Sequence, residues 1–74
     1  MNYKKRLKDL REDRDIKQSQ IAELLGVKQS AISKYERNER EYKIDDLIKL
    51  CKFYNVSPEY ILGFTNNIKS LPKK

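Results

Sequence analysis

Apolar residues recur along the chain in short bursts at helical spacing, separated by polar breaks. Tyr3, Leu7, Leu10 and Arg14 fall at i, i+4, i+7 and i+11 and predict a first helix over about Tyr3–Arg14, with Asn2 as its N-cap. The opposite side carries Lys4, Lys5, Arg6, Lys8, Asp9, Glu12 and Asp13 and reads as solvated, laced with i,i+4 pairs. The alternative for Lys4, Lys5 or Arg6 is contact with an anion. Ile16 should plug the joint to a second helix opened by Gln18, in which Ile21, Ala22 and Leu25 form a stripe with Leu24 on its margin. Gly26 ends that helix where a left-handed backbone is needed, and Val27 fills the corner.

A third helix follows at once. At about 100° per residue, Gln29, Ser30, Ser33, Lys34 and Arg37 fall within an arc of roughly 140°. Ala31, Ile32 and Tyr35 lie opposite, so one face packs inward and the other shows polar side chains. In the fourth helix Ile44, Leu47, Ile48, Leu50, Cys51 and Tyr54 make an apolar arc, with Phe53 at its edge and Asp45, Asp46, Lys49 and Lys52 predicted wet. The two neighbouring aspartates read as first-turn helix charge. Ser57-Pro58 starts a fifth helix over about Pro58–Leu62, with Ile61 and Leu62 inward and Gly63 at its end. The prediction is all-α: five short helices, the second and third joined as a helix-turn-helix.

Composition narrows the class. A chain of 74 residues has room for one small core, here a domain over 1–64 with a short polar, basic tail over 65–74 whose last residues are expected to be mobile. Apolar and charged residues each make up 38%, so the core must be compact to suffice, and it supplies ~3–5 kcal/mol. No run of about 18 apolar residues is present, and the first twenty residues are charged throughout, unlike a secretory signal. The single Cys51 and the absence of histidine leave no metal cluster, no nucleophile–base pair and no cofactor site, which argues against an enzyme and for a reducing, cytoplasmic setting. The net charge of +6 points to a polyanion as partner. On the third helix, Gln, Ser and Lys are residues that pair with base edges, so Gln29, Ser30, Ser33 and Lys34 are the candidate base contacts.

Gln18, Ala22, Gly26, Val27, Ile32 and Tyr35, followed by Y-E-R-N-E-R and N-V-S-P-E-Y-I-L-G, resemble the recurring residues of the Cro/lambda-repressor-like (XRE) family. The resemblance covers about residues 3–64. It implies a lambda-repressor-like domain that binds double-stranded DNA sequence-specifically as a transcriptional regulator, most simply a repressor. Such a protein acts as a homodimer reading a near-palindromic operator in the major groove. The rival is a protein-interaction module on the same fold, such as an antitoxin that binds a toxin.

The resemblance also assigns roles. Gln18 would grip a phosphate and touch the third helix, and Arg11 would pair with Glu36 as a structural ion pair. Lys17, Lys28, Arg37, Asn38 and Arg40 join Gln18 as candidate phosphate contacts. Glu39 and Glu41 make the loop after the third helix less basic than is usual in the family. The dimer contact is expected near the fifth helix, at Tyr60 and Phe64 with Phe53 as a further candidate. In one respect the chain departs from its family: Lys17, Lys28 and Lys43 stand where Ser or Thr usually caps helices two, three and four. Each lost cap costs about 0.5–2 kcal/mol. Lys28 is expected to trade that for a phosphate contact, whereas Lys43 reads better as a slip of register or as a cap made by nearby groups.

Overall fold

The structure, a computed structural model, describes residues 3–64. The Asn2 cap and the tail over 65–74 lie outside the described residues. Five helices follow one another: α1 (Tyr3–Asp13), α2 (Gln18–Leu25), α3 (Gln29–Glu36), α4 (Ile44–Tyr54) and α5 (Pro58–Leu62). α2 packs on α3, α1 bridges α3 and α5, and α4 lies against α5. Leu7, Leu10, Ile21, Leu25, Ile32, Tyr35, Leu50, Tyr54, Val56 and Ile61 fill the centre, with Ile32 and Val56 fully enclosed.

Left-handed residues turn the chain between helices. Asp15 (φ 55°) follows α1, where the Ile16 N–H returns to the Arg11 carbonyl at 2.9 Å. Gly26 (φ 69°) ends α2, and the Val27 N–H bonds the Ala22 carbonyl at 3.0 Å. A Cβ on Gly26 would meet nothing within 4 Å, so its requirement is purely the backbone angle. Asn55 (φ 56°) plays the same part after α4. The Ser57 hydroxyl accepts from the Tyr60 N–H at 3.2 Å and caps α5.

Several expectations need correction. α1 ends at Asp13, and Arg14 lies on the exposed side. There its guanidinium donates to the Tyr54 carbonyl at 2.7 Å and rests 5.4 Å from the Tyr54 ring centroid. Ile44 (70% exposed), Ile48 and Leu62 are not inward. With Leu47, Cys51, Pro58 and Ile61 they line an open apolar groove of about 210 Å³ that the five-residue α5 is too short to fill. Asp46 is buried rather than wet, in the first turn of α4 where it shares a cleft with Ala31 and Tyr35. A carboxylate is favoured there by the free N–H groups of the helix start.

Lys4 is the largest departure. Predicted solvated, its side chain is 2% exposed. Lys4, Leu7 and Arg11 are spaced i, i+3, i+7, which puts all three on the α1 face that meets α3 and the loop after it. Polar partners in that loop offset the cost of taking the ammonium out of water.

Candidate nucleic-acid interface

α3 divides along its length. Ile32 and Tyr35 are core, and the Tyr35 ring packs on Tyr42 with centroids 4.2 Å apart. Tyr42, on the loop past α3, is thereby drawn inside and anchors that loop. Gln29, Ser30 and Lys34 are exposed on the other face, and Ser33 is half-buried beside them. The Ser33 hydroxyl accepts from Arg37 Nη1 at 2.6 Å, and Arg37 Nε donates to Glu39 at 2.8 Å. That pairing, chiefly the hydrogen bond, holds the Glu39 carboxyl below its ordinary value and raises the Arg37 guanidinium.

The last residue of α3 ties three helices together. Glu36 accepts from Arg11 through two bonds, Nε to Oε2 at 2.7 Å and Nη2 to Oε1 at 3.0 Å. Arg11 also donates to the Ile16 carbonyl at 2.8 Å. The Gln18 amide donates to Glu36 Oε1 at 2.8 Å, while its own oxygen faces Gln29 Nε2 at 3.5 Å. α1, α2 and α3 therefore meet at one carboxylate, whose hydrogen bond raises the Arg11 guanidinium further above its ordinary value. The orientation of α3 follows from this joint and from the Gly26 turn.

Lys17, Lys28 and Lys43 each stand at an N-cap in extended conformation with no side-chain cap bond. The register is thus as counted, and the slip expected at Lys43 is set aside. At α2 the Gln20 side chain supplies half of the missing cap, accepting from the Lys17 N–H at 2.8 Å. A cleft of about 380 Å³ between α3 and the start of α4 is lined by Lys28, Lys34, Arg40 and Lys43 together with Glu41 and Asp46. Four cations against two acids leave it net positive.

Asn38 follows α3 in left-handed conformation, φ 63°. Its side-chain oxygen accepts from Lys4 Nζ at 2.7 Å, and Lys4 also grips the Glu41 carboxylate. The Tyr3 hydroxyl donates to Glu41 as well, at 2.9 Å. Together, Lys4 foremost, they hold the Glu41 carboxyl below its ordinary value. Sequence reasoning missed Lys4 and Glu41 as a pair; the shared spacing of Lys4 with Leu7 and Arg11 is the signal that points to it.

The aromatic residues expected at a dimer contact lie apart in character. Phe64 is 79% exposed, Phe53 sits half-open and edge-on to Tyr54, and Tyr60 is half-buried with Arg6 4.5 Å from its ring centroid. Arg6 also donates to the Tyr60 main-chain carbonyl at 3.1 Å. Among the described residues no group of potential ligands could hold a metal ion, and no helix is long and apolar enough to cross a membrane.

Two packed helices around a left-handed glycine, with one polar face left open on the second, define a helix-turn-helix domain. The helix-turn-helix family profile matches residues 7–61, and the chain belongs to that family, in its XRE-type branch. It is 41% identical over 63 residues to the HTH-type transcriptional regulator ImmR of Bacillus subtilis (strain 168), covering 85% of this chain and 50% of that protein. It is 33% identical over 54 residues to the cryptic phage CTXphi transcriptional repressor RstR of Vibrio cholerae, covering 73% and 49%. The chain spans about half the length of the curated relatives it matches. Among solved structures, the P22 c2 repressor in complex with a synthetic operator superposes with a TM-score of 0.72 at 31% identity, covering 82% of this chain and 92% of that one. The restriction-modification controller protein C.AhdI of Aeromonas hydrophila gives 0.69 at 25% identity, covering 80% and 89%.

Proposed function

We propose that this domain binds double-stranded DNA sequence-specifically and regulates transcription, as a repressor, in the cytoplasm. α3 lies in the major groove, where Gln29, Ser30, Ser33 and Lys34 meet base edges. Lys17, Gln18, Lys28, Arg37, Asn38 and Arg40 hold the sugar-phosphate backbone on either side. Gln18 uses one of its two amide N–H groups on Glu36 and offers the rest, with the N-terminus of α2, to a phosphate. Arg37 is shared with Ser33 and Glu39, so it must exchange part of that pairing on contact.

The observation that carries this reading is the division of α3: a fully enclosed Ile32 on one side, and base-pairing side chains left open on the other, on a helix fixed at both ends. The likeness to an operator-bound repressor supports it. One such helix reads only a few base pairs, so the working form is a two-fold dimer with half-sites about 34 Å apart. Tyr60, Phe64 and Phe53 are the aromatic residues available to that contact, Phe64 and Phe53 exposed and Tyr60 half-buried. Selection of bound sequences from random duplex DNA tests the proposal. The expected product is an enriched site with dyad symmetry; a pool that never enriches would overturn it.

A further inference from the structure

Lys4 is a buried cation that the DNA-binding reading leaves without a task. Its side chain is 2% exposed, so it does not reach a phosphate itself. Its ammonium instead crosses from the first turn of α1 to the loop after α3, where it donates to Asn38 Oδ1 at 2.7 Å and to Glu41.

The contact with Asn38 is chemically one-sided. An ammonium offers three donors and no acceptor, while a carboxamide has one acceptor end and one donor end. Only the carbonyl end of Asn38 can face Lys4, however the amide is drawn. The NH₂ end, which cannot face the ammonium, is left for another acceptor on a residue that is exposed. The loop moves with α3: the Asn38 N–H bonds the Tyr35 carbonyl at 3.1 Å and the Glu39 N–H bonds the Lys34 carbonyl at 2.8 Å. Lys4 and Tyr3 also occupy the Glu41 carboxylate.

We propose that Lys4 is a positioning residue for the DNA backbone: it turns the Asn38 carboxamide so that its NH₂ donors meet a phosphate oxygen beside α3, and it keeps Glu41 from repelling that phosphate. The inference rests on the DNA-binding reading and gives the Asn38 contact its atom and its cause.

The test is equilibrium binding to a mixed-sequence duplex across a range of salt, with Tm measured on each variant. Asn38→Gly suits the left-handed backbone but takes one acceptor from the buried Lys4 ammonium, so Tm should fall modestly while the folded protein binds about tenfold more weakly. The salt slope should stay the same, because a neutral donor releases no counterion. Lys4→Met/Glu41→Gln, which removes the ammonium together with the carboxylate it neutralises, should weaken binding similarly at unchanged slope, and adding Asn38→Gly to it should cost nothing further. Full additivity, or a slope lowered by about one in Lys4→Met/Glu41→Gln, would overturn the proposal, the latter because Lys4 would itself be a phosphate contact. Should Lys4→Met/Glu41→Gln fail to fold, the Asn38 side-chain amide resonance of the parent decides: it shifts on adding DNA if the proposal holds and stays put if it does not. A parent that binds no duplex removes the functional reading and this inference together. A parent that binds, with Asn38→Gly equal to it, removes this inference alone.

Discussion

Arg11 and Glu36 face each other through a two-bond contact of 2.7 and 3.0 Å, joining the last turn of α1 to the last residue of α3. Both side chains are largely buried, and Gln18 adds a third bond to the same carboxylate. Arg11→Met would leave Glu36 charged, enclosed and short of two donors. The expected loss is ~3–5 kcal/mol, a large share of the stability of a domain this small. Chemical denaturation of parent and variant measures it; a loss under about 1 kcal/mol would mean that the pair behaves as a surface contact.

Gln29 is exposed at the start of α3, and its carboxamide can pair with an adenine edge. Gln29→Ala should cost ~1–3 kcal/mol on the selected site and relax the preference at one base pair. Binding assays on the selected site and on random duplex check this. Equal losses on both would make Gln29 a backbone contact.

Lys28 caps α3 in position but not in chemistry, since its side chain accepts no hydrogen bond and its charge opposes the helix dipole. Lys28→Ala should weaken binding to all sequences about equally and lower the salt slope by about one. Its Tm should be no lower than the parent's. An unchanged slope would leave Lys28 in solvent.

Alkali should unfold the domain through its enclosed tyrosines. Burial pushes the Tyr54 hydroxyl up from 10.0 to about 12, with Glu36 adding to the rise and Arg11 opposing it. Tyr42 is raised further by the same cause. The unfolded chain therefore gives up these protons first. The stability they contribute is complete below about pH 10 and is lost as pH climbs toward 12. Thermal melts across that window should show a falling Tm, and Tyr54→Phe should flatten the fall. A Tm indifferent to pH there would mean that the hydroxyls titrate as in water.

The helices were legible because each buries one face of a simple period. Ile21, Ala22 and Leu25 in α2 and Ile32 and Tyr35 in α3 all lie inside, as their spacing requires. Periodicity says which residues share a face; it does not say how much of that face a neighbour covers. Ile44, Ile48 and Leu62 belong to apolar faces yet remain open, because α5 is five residues long and leaves a groove beside α4. Lys4 failed in the opposite sense. A polar residue was placed in water, although its spacing with Leu7 and Arg11 put it on an inner face and its partners, Asn38 and Glu41, were more than thirty residues away. Which side chains of α3 and its flanks meet DNA depends on a partner that the chain's own pattern does not contain.

The central claim is that the open face of α3 reads DNA while the surrounding cations hold its backbone. Titrating the domain against its selected site and against random duplex, at several salt concentrations, tests it most directly. The selected site should bind tighter by about 10³ or more, and both affinities should fall linearly with the logarithm of salt concentration. Affinities that ignore salt, or that are equal for the two duplexes, would contradict the account.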